Sequence, residues 1–128
     1  MRLYHIWIVL SVFVLASCTS SDGDYASLPI GDATRGEVLY TESINGAPTC
    51  SACHALSDEA LVGPSLAGYG DLAASRVEGQ SAEDYTYNAI LRPAVHIVQG
   101  YGNVMYTEYG SKLSDQDTAD LIAFLLTQ

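Results

Sequence analysis

The chain has 128 residues, which is enough for one domain of ordinary size and too few for two. Fifteen Asp or Glu residues against five Lys or Arg residues give a formal net charge of −10. Nucleic-acid binding depends on basic side chains that contact phosphates, so this balance argues against a nucleic-acid partner. It also argues against acidic small-molecule substrates, and it could steer association with a basic partner surface.

The first seventeen residues have the pattern of an export signal. Arg2 precedes an almost wholly apolar run over residues 6–16. A bilayer span needs about 18 residues, whereas a signal-peptide core has roughly 7–15, and the run falls in the second class. The run leads into Leu15-Ala16-Ser17-Cys18, which resembles the lipobox of bacterial lipoproteins. That resemblance implies cleavage before Cys18 and lipid on this cysteine; an ordinary signal peptide cut nearby, or an uncleaved short anchor, is the alternative.

Residues 18–30 are predicted to form a lipidated cysteine and a flexible tether. The segment after Cys18 is polar, contains Gly and Pro, and has neither helical nor strand periodicity. Its twelve residues would reach about 40 Å when extended, at roughly 3.3–3.6 Å each. The predicted organisation is a signal peptide over 1–17, this tether, and one folded domain over 31–128. We expect export to the outer face of the cell membrane or the periplasm.

Two of the three cysteines lie in Cys50-Ser51-Ala52-Cys53-His54. The CxxC spacing alone also occurs in thioredoxin-like redox sites, zinc sites and disulfides, but a following His is typical of c-type haem attachment. Two thiols add across the two vinyl groups of one haem, and His54 is then held where its imidazole can bind iron. A zinc site is disfavoured because it needs four ligands, and the exported chain offers only His96 beyond the motif.

A second iron ligand is expected from the C-terminal half of the domain. Met105 is the only methionine apart from the initiator, and it lies in a glycine-rich segment rather than on a periodic apolar face. A thioether is a soft ligand that favours ferrous iron and raises the reduction potential relative to a second imidazole. Met105 is therefore the favoured ligand, and His96 is the alternative.

The CxxCH motif and the downstream Met105 together resemble a class I cytochrome c, and the resemblance extends from about Gly31 to the C-terminus. It implies an all-α fold of three to five short helices wrapped around one covalently bound haem c. Residues 31–40 resemble the first helix of that family. The resemblance places Gly36 and Tyr40 of this helix at its crossing with the last helix, which contributes Leu121 and Phe124.

The resemblance also implies roles for three residues that follow the motif. The segment Gly63-Pro64-Ser65-Leu66-Ala67-Gly68 resembles the stretch that follows the haem-binding His, where the Pro64 carbonyl accepts a hydrogen bond from that His. Tyr69 and Arg76 match positions near a haem propionate.

Helix-capping patterns predict two of the helices independently of the resemblance. Ser81-Ala82-Glu83-Asp84 offers an N-cap with an acidic residue three positions on, and it predicts a helix over about 82–91 that ends before Pro93. Ser114-Asp115-Gln116-Asp117 repeats this signal ahead of the last helix. That helix has apolar residues at three- and four-residue spacing: Leu121, Ile122, Phe124 and Leu125.

The chain departs from the mitochondrial members of the family in three places. Its only Trp is Trp7, inside the signal, and Lys112 is its only lysine. Tyr106 stands where a proline usually follows the ligand methionine. The lysine-rich partner surface of the mitochondrial proteins is therefore not expected here.

Electron transfer is the function that these features predict. With His54 and Met105 both on iron, no coordination site is open for a substrate, so the protein is not expected to be an enzyme. We expect membrane-associated redox complexes as partners, reached as a shuttle. A stably bound haem subunit of a larger quinol-oxidising or oxidase complex is the alternative. An enzyme or gas sensor is disfavoured, because gas-binding four-helix cytochromes usually carry CxxCH near the C-terminus and Cys50 lies early in the chain.

Overall fold

The computed structural model describes residues 24–128, so the predictions for residues 1–17 and for Cys18 lie outside the described residues. Within residues 24–128 the chain forms five α-helices and two short 3₁₀ helices and contains no β-strand. The α-helices are α1 (Ala33–Thr41), α2 (Tyr69–Ala73), α3 (Ala82–Leu91), α4 (Tyr109–Lys112) and α5 (Asp115–Leu125), and the 3₁₀ helices are Tyr25–Ser27 and Cys50–Ala52. The prediction of an all-α fold with three to five short helices is confirmed.

Helices α3 and α5 begin where their capping patterns predict. The Ser81 hydroxyl accepts the backbone N–H of Asp84 at 3.0 Å. Ser114 and Asp117 form a reciprocal capping box, in which each side chain accepts the other residue's backbone N–H at 3.1 Å. These bonds satisfy N–H groups that have no partner inside the helix, and so they set the first residue of each helix.

Among the described helices, α1 and α5 make the most extensive contact with each other, where they cross. A Cβ atom at Gly36 would lie 2.0 Å from the carbonyl oxygen of Asp120 and 2.7 Å from the Cβ of Phe124. One turn further along α1, the ring of Tyr40 packs against the ring of Phe124 with centroids 5.6 Å apart. The two backbones can approach this closely only because residue 36 has no side chain.

Polar groups at the start of α1 reinforce this crossing. The buried carboxylate of Asp120 accepts the backbone N–H of Asp32 at 2.7 Å. The Arg35 guanidinium bridges Asp120, at 3.0 Å from Nε to Oδ2, and Asp117, at 2.7 Å. Burial acts to raise the pKa of Asp117, but hydrogen bonds from Ser114 and Arg35 outweigh it and lower that pKa. Asp117 therefore stays ionised and keeps its bond to Arg35 at neutral pH.

Replacing Gly36 with Ala tests the crossing. We expect the free energy of unfolding to fall by about 2 kcal/mol or more, because overpacking a filled interface commonly costs roughly 1–3 kcal/mol. Urea unfolding followed by far-UV circular dichroism measures this loss. Gly110 of α4 is the matched control, because a Cβ atom there meets nothing within 4 Å. Gly110→Ala should leave stability unchanged or raise it slightly, and equal losses in the two variants would contradict the close crossing.

Candidate haem site

One cavity of about 390 Å³ lies between the CxxCH segment, helix α3, helix α5 and the segment around Met105. Cofactor sites commonly have volumes of roughly 300–1,000 Å³. Six of the residues predicted for the site line this cavity: Cys50, Cys53, His54, Pro64, Tyr69 and Met105. Arg76, the seventh predicted within the domain, is not among the lining residues.

The wall of the cavity is apolar. Leu66 and Ile90 contribute to it from the middle of the chain, and Leu121 and Leu125 contribute from α5. Among the described residues that line the cavity, none is Asp, Glu, Lys or Arg. Such a wall suits the large apolar face of a haem, and it would shield the iron of a bound haem from water.

The attachment segment is wound so that its three functional side chains meet at this cavity. Cys50–Ala52 forms a 3₁₀ helix, and the backbone N–H groups of Cys53 and His54 both donate to the Cys50 carbonyl, at 3.2 and 3.0 Å. The thiols of Cys50 and Cys53 are free and half-buried. Burial raises the pKa of Cys50 to about 11, so this thiol is neutral at pH 7. One tight turn thus presents two thiols and one imidazole to a single apolar space.

Two hydrogen bonds fix His54. Its Nδ1 lies 2.8 Å from the carbonyl oxygen of Pro64. A carbonyl can only accept, so Nδ1 carries the proton and Nε2 is the nitrogen with a free electron pair for iron. The backbone carbonyl of His54 in turn accepts a hydrogen bond from the hydroxyl of Tyr40 on α1. The orientation of the imidazole is therefore linked to the crossing of α1 and α5.

Gly63 has a role here that the sequence reasoning did not assign. A Cβ atom at this position would lie 2.4 Å from Cε1 of His54 and 2.8 Å from its Nε2. The backbone N–H of Gly63 also donates to the Cys53 carbonyl at 2.8 Å. Residue 63 therefore packs directly against the ring and must be small. The one sequence feature that could have pointed to Gly63 was its position immediately before Pro64.

Tyr69 and Arg76 are placed differently. Tyr69 lies in the cavity wall and donates its hydroxyl to Thr86 on α3 at 3.1 Å. Burial raises the pKa of Tyr69 to about 12, although the bond to Thr86 and the charge of Arg76 both act to lower it. Arg76 is thus close enough to act on Tyr69 while lying outside the lining. The propionate contacts of both residues stay a prediction.

Both candidates for the second iron ligand face the cavity. Met105 lines it, and so does His96, whose ring packs edge-on against Tyr85 with centroids 5.6 Å apart. The Met105 segment is tied to the attachment motif by Tyr109, whose hydroxyl donates to the Pro48 carbonyl at 2.9 Å. Met105 therefore stays the predicted ligand, with His96 as the alternative inside the same cavity.

Tyrosines supply much of the wall on the methionine side. Tyr101, Tyr106 and Tyr109 all line the cavity, and the rings of the last two pack edge-on with centroids 5.1 Å apart. The sequence alone did not indicate whether these three rings face the cavity or solvent, because their segment has no helical or strand period.

These residues fit a covalently bound haem. Two free thiols, an imidazole with its Nδ1 already bonded, and a thioether all line one uncharged cavity of about 390 Å³. Cys50 and Cys53 would hold the macrocycle by thioether bonds, and His54 with Met105 would bind the iron. The haem supplies a reversible one-electron iron couple. The chain holds it, excludes water and sets the electronic character of the imidazole through Pro64.

Replacing Gly63 with Ala tests the support of His54. We expect the new methyl group to displace the ring and weaken its bonds to Pro64 and iron. Losses of the order of 10–100-fold in metal affinity are usual when such supporting contacts are broken. Covalent haem content and the optical spectrum of the purified protein measure the effect. Gly102→Ala is the control, because residue 102 lines the same cavity and a Cβ there contacts only Val104, at 3.6 Å. An unaltered spectrum in Gly63→Ala would contradict this role.

Comparison with known proteins gives one match. The family model described as Cytochrome c matches residues 33–128, which is 96 of the 128 residues. No curated protein and no solved structure gives a significant match. The family match, the helical fold and the CxxCH cysteines at 50 and 53 agree with one another. The chain therefore belongs to the cytochrome c family, as a class I monohaem cytochrome that binds haem c covalently and carries electrons.

Proposed function

We propose that this cytochrome is a lipid-anchored carrier that passes single electrons between respiratory or photosynthetic complexes at the outer face of the cell membrane. Family membership makes it a haem-containing electron carrier. Our proposal adds three points to this: a lipid anchor at Cys18, His54 and Met105 as the iron ligands, and redox complexes of the membrane as partners.

The observation that carries the proposal is that His54 and Met105 line the same cavity. A haem held there with both side chains on its iron has no open coordination position. Substrate binding at iron is then blocked, and the accessible chemistry is gain and loss of one electron. We therefore propose no enzymatic activity for this chain.

The cavity wall supports a carrier with a raised reduction potential. Oxidation adds a positive charge at iron, and an apolar, water-excluding wall without charged side chains disfavours that charge. A thioether ligand shifts the balance in the same direction, since it favours ferrous iron. The hydrogen bond between His54 and Pro64 opposes both effects by making the imidazole a stronger donor.

The proposed anchor is supported by the sequence at the N-terminus. Arg2 and the apolar run over residues 6–16 have the order of a signal peptide, and they lead into Cys18 at the end of a segment that resembles a lipobox. No helix within residues 24–128 is both long and apolar enough to cross a membrane. Several acyl chains on one cysteine bind a membrane much more firmly than one chain does.

A permanent place in a larger complex is the second candidate. Apolar side chains at the mouth of the cavity favour it: Val62 and Val104 line the cavity and are still 62% and 66% exposed. Exposed apolar side chains beside a functional cavity are typical of protein contact surfaces. Purification from membranes as a single species supports the shuttle, whereas co-purification with a quinol-oxidising or oxidase complex supports the subunit.

Replacing Met105 with Ala tests the ligand pair. We expect the reduction potential to fall by the order of 100 mV, because axial ligands move haem potentials over a range of about 0.8 V. We also expect carbon monoxide to bind the reduced protein and shift its optical spectrum. His96→Ala is the matched control and should retain the wild-type potential and show no response to carbon monoxide. The opposite pattern would make His96 the ligand.

Replacing Cys18 with Ser tests the anchor. We expect the variant to lose its acyl chains and to move from the membrane fraction to the soluble fraction with an unchanged haem spectrum. Fractionation and intact-protein mass spectrometry measure both effects. Thr19→Ser is the control and should stay lipidated. A Cys18→Ser protein with unchanged mass increments and unchanged membrane association would remove the anchor from the proposal.

A further inference from the structure

The end of the predicted tether lies against the domain. Its 3₁₀ helix, Tyr25–Ser27, is closed at both ends. The side chain of Asp24 accepts the backbone N–H of Ser27 at 3.1 Å, and the Ser27 hydroxyl donates to the Asp24 carbonyl at 2.7 Å. The backbone N–H of Leu28 then donates to the Tyr25 carbonyl at 3.0 Å. This segment has a defined local structure of its own.

The side chains of this turn are packed. Tyr25 and Leu28 are half-buried against the hydrophobic core, and the turn contacts α3. Leu28 has an extended backbone, as expected for a residue before proline, and Pro29 further restricts the chain. A restricted segment loses little entropy when it docks, which favours the packed position.

Two further hydrogen bonds hold the segment between this turn and α1 against the domain. The Gln116 side chain on α5 donates to the carbonyl of Ile30 at 3.0 Å. The backbone N–H of Asp32 donates to the buried carboxylate of Asp120 at 2.7 Å. Residues 24–32 therefore follow the surface of the domain from α3 to α5, and we call them the strap. The side chain of Ile30 in the strap is 96% exposed and does not pack against the core.

The strap reduces the number of residues that separate the proposed anchor from the folded domain. Between Cys18 and Asp24 lie only residues 19–23. Six steps from one Cα atom to the next, at roughly 3.3–3.6 Å each, span about 20 Å. Twelve extended residues would have reached about 40 Å. A folded unit of this size is about 33 Å across. The loss of about 20 Å of tether length is therefore more than half the diameter of the domain, and it limits how far the haem can move from the membrane.

We propose that the strap fixes the exit point of the tether beside α3 and holds the haem domain close to the membrane surface. This inference depends on the proposed lipid anchor at Cys18. Helix α3 also forms part of the cavity wall through Tyr85, Ala89 and Ile90. An exit point on this helix therefore limits how the cavity mouth can turn relative to the bilayer. The partner that fits is a complex in the same membrane whose redox centre lies near the bilayer surface.

Hydrogen exchange on the full-length holoprotein tests whether the strap is docked. The amides of Ser27 and Leu28 should exchange at least about tenfold more slowly in the wild type than in the double variant Tyr25→Ser, Leu28→Ser. The matched control is Ile30→Ser, which removes an apolar side chain from the same segment without removing a packed one. Equal exchange rates in wild type and double variant would overturn docking, whether or not the chain is lipidated.

Energy transfer on vesicles tests the reach. The lipidated full-length proteins are placed on phosphatidylcholine vesicles that contain a dye-labelled phosphatidylethanolamine, whose fluorescence the haem quenches when it is near. Wild type and Ile30→Ser should quench strongly, and the double variant should quench less. Equal quenching by all three proteins would overturn the limit on reach while leaving the anchor in place. A wild-type protein that does not bind the vesicles at all would overturn the anchor and with it the reach, and exchange would then decide docking alone.

An insertion variant tests the reach even if the double variant fails to fold. Adding Gly-Ser-Gly-Ser-Gly between residues 23 and 24 leaves Tyr25 and Leu28 unchanged but doubles, from five to ten, the number of residues between Cys18 and the strap. We expect this protein to keep the slow exchange of Ser27 and Leu28 and the wild-type haem spectrum, yet to quench less. Quenching equal to that of the wild type would contradict the proposal.

Discussion

The crossing of α1 and α5 at Gly36 is the contact on which the other parts of this structure depend. It brings Tyr40 to the place where its hydroxyl reaches the His54 carbonyl, and it sets the side of α5 that faces the cavity. Leu121 and Leu125 then form part of the cavity wall. Because residue 36 is glycine, the first and last helices can cross closely, and this crossing in turn helps to position His54.

The haem site joins two kinds of constraint. Local backbone hydrogen bonds within Cys50–Ala52 and on to His54 turn the motif toward one side, so the spacing of the motif already determines which side chains can meet. The other half of the site comes from distant segments, through the carbonyl of Pro64 and the segment of Met105. The Met105 segment is held beside the attachment motif by the hydrogen bond from the Tyr109 hydroxyl to the Pro48 carbonyl.

Sequence reasoning succeeded where a rule acts over a few residues. Ser81 and Ser114 mark the starts of α3 and α5 because a capping hydroxyl satisfies N–H groups only three positions away. It did not predict the role of Gly63. A small residue is needed there because residue 63 packs against the ring of His54, and no helical or strand periodicity relates these two positions. The packing of Tyr25 and Leu28 was missed for a similar reason, since a single turn is too short to show periodicity. Sequence reasoning could not decide between Met105 and His96 as the second iron ligand, because neither lies on a periodic segment that would show which side chain faces the cavity.

The cavity wall has a consequence for how the protein is made. The side chains that line the cavity are largely apolar, and a haem bound there would cover them and add buried surface to a core of short helices. The prosthetic group is in effect the largest residue of the interior. Haem attachment would then contribute to folding, and we expect the yield of stable protein to follow the supply of haem.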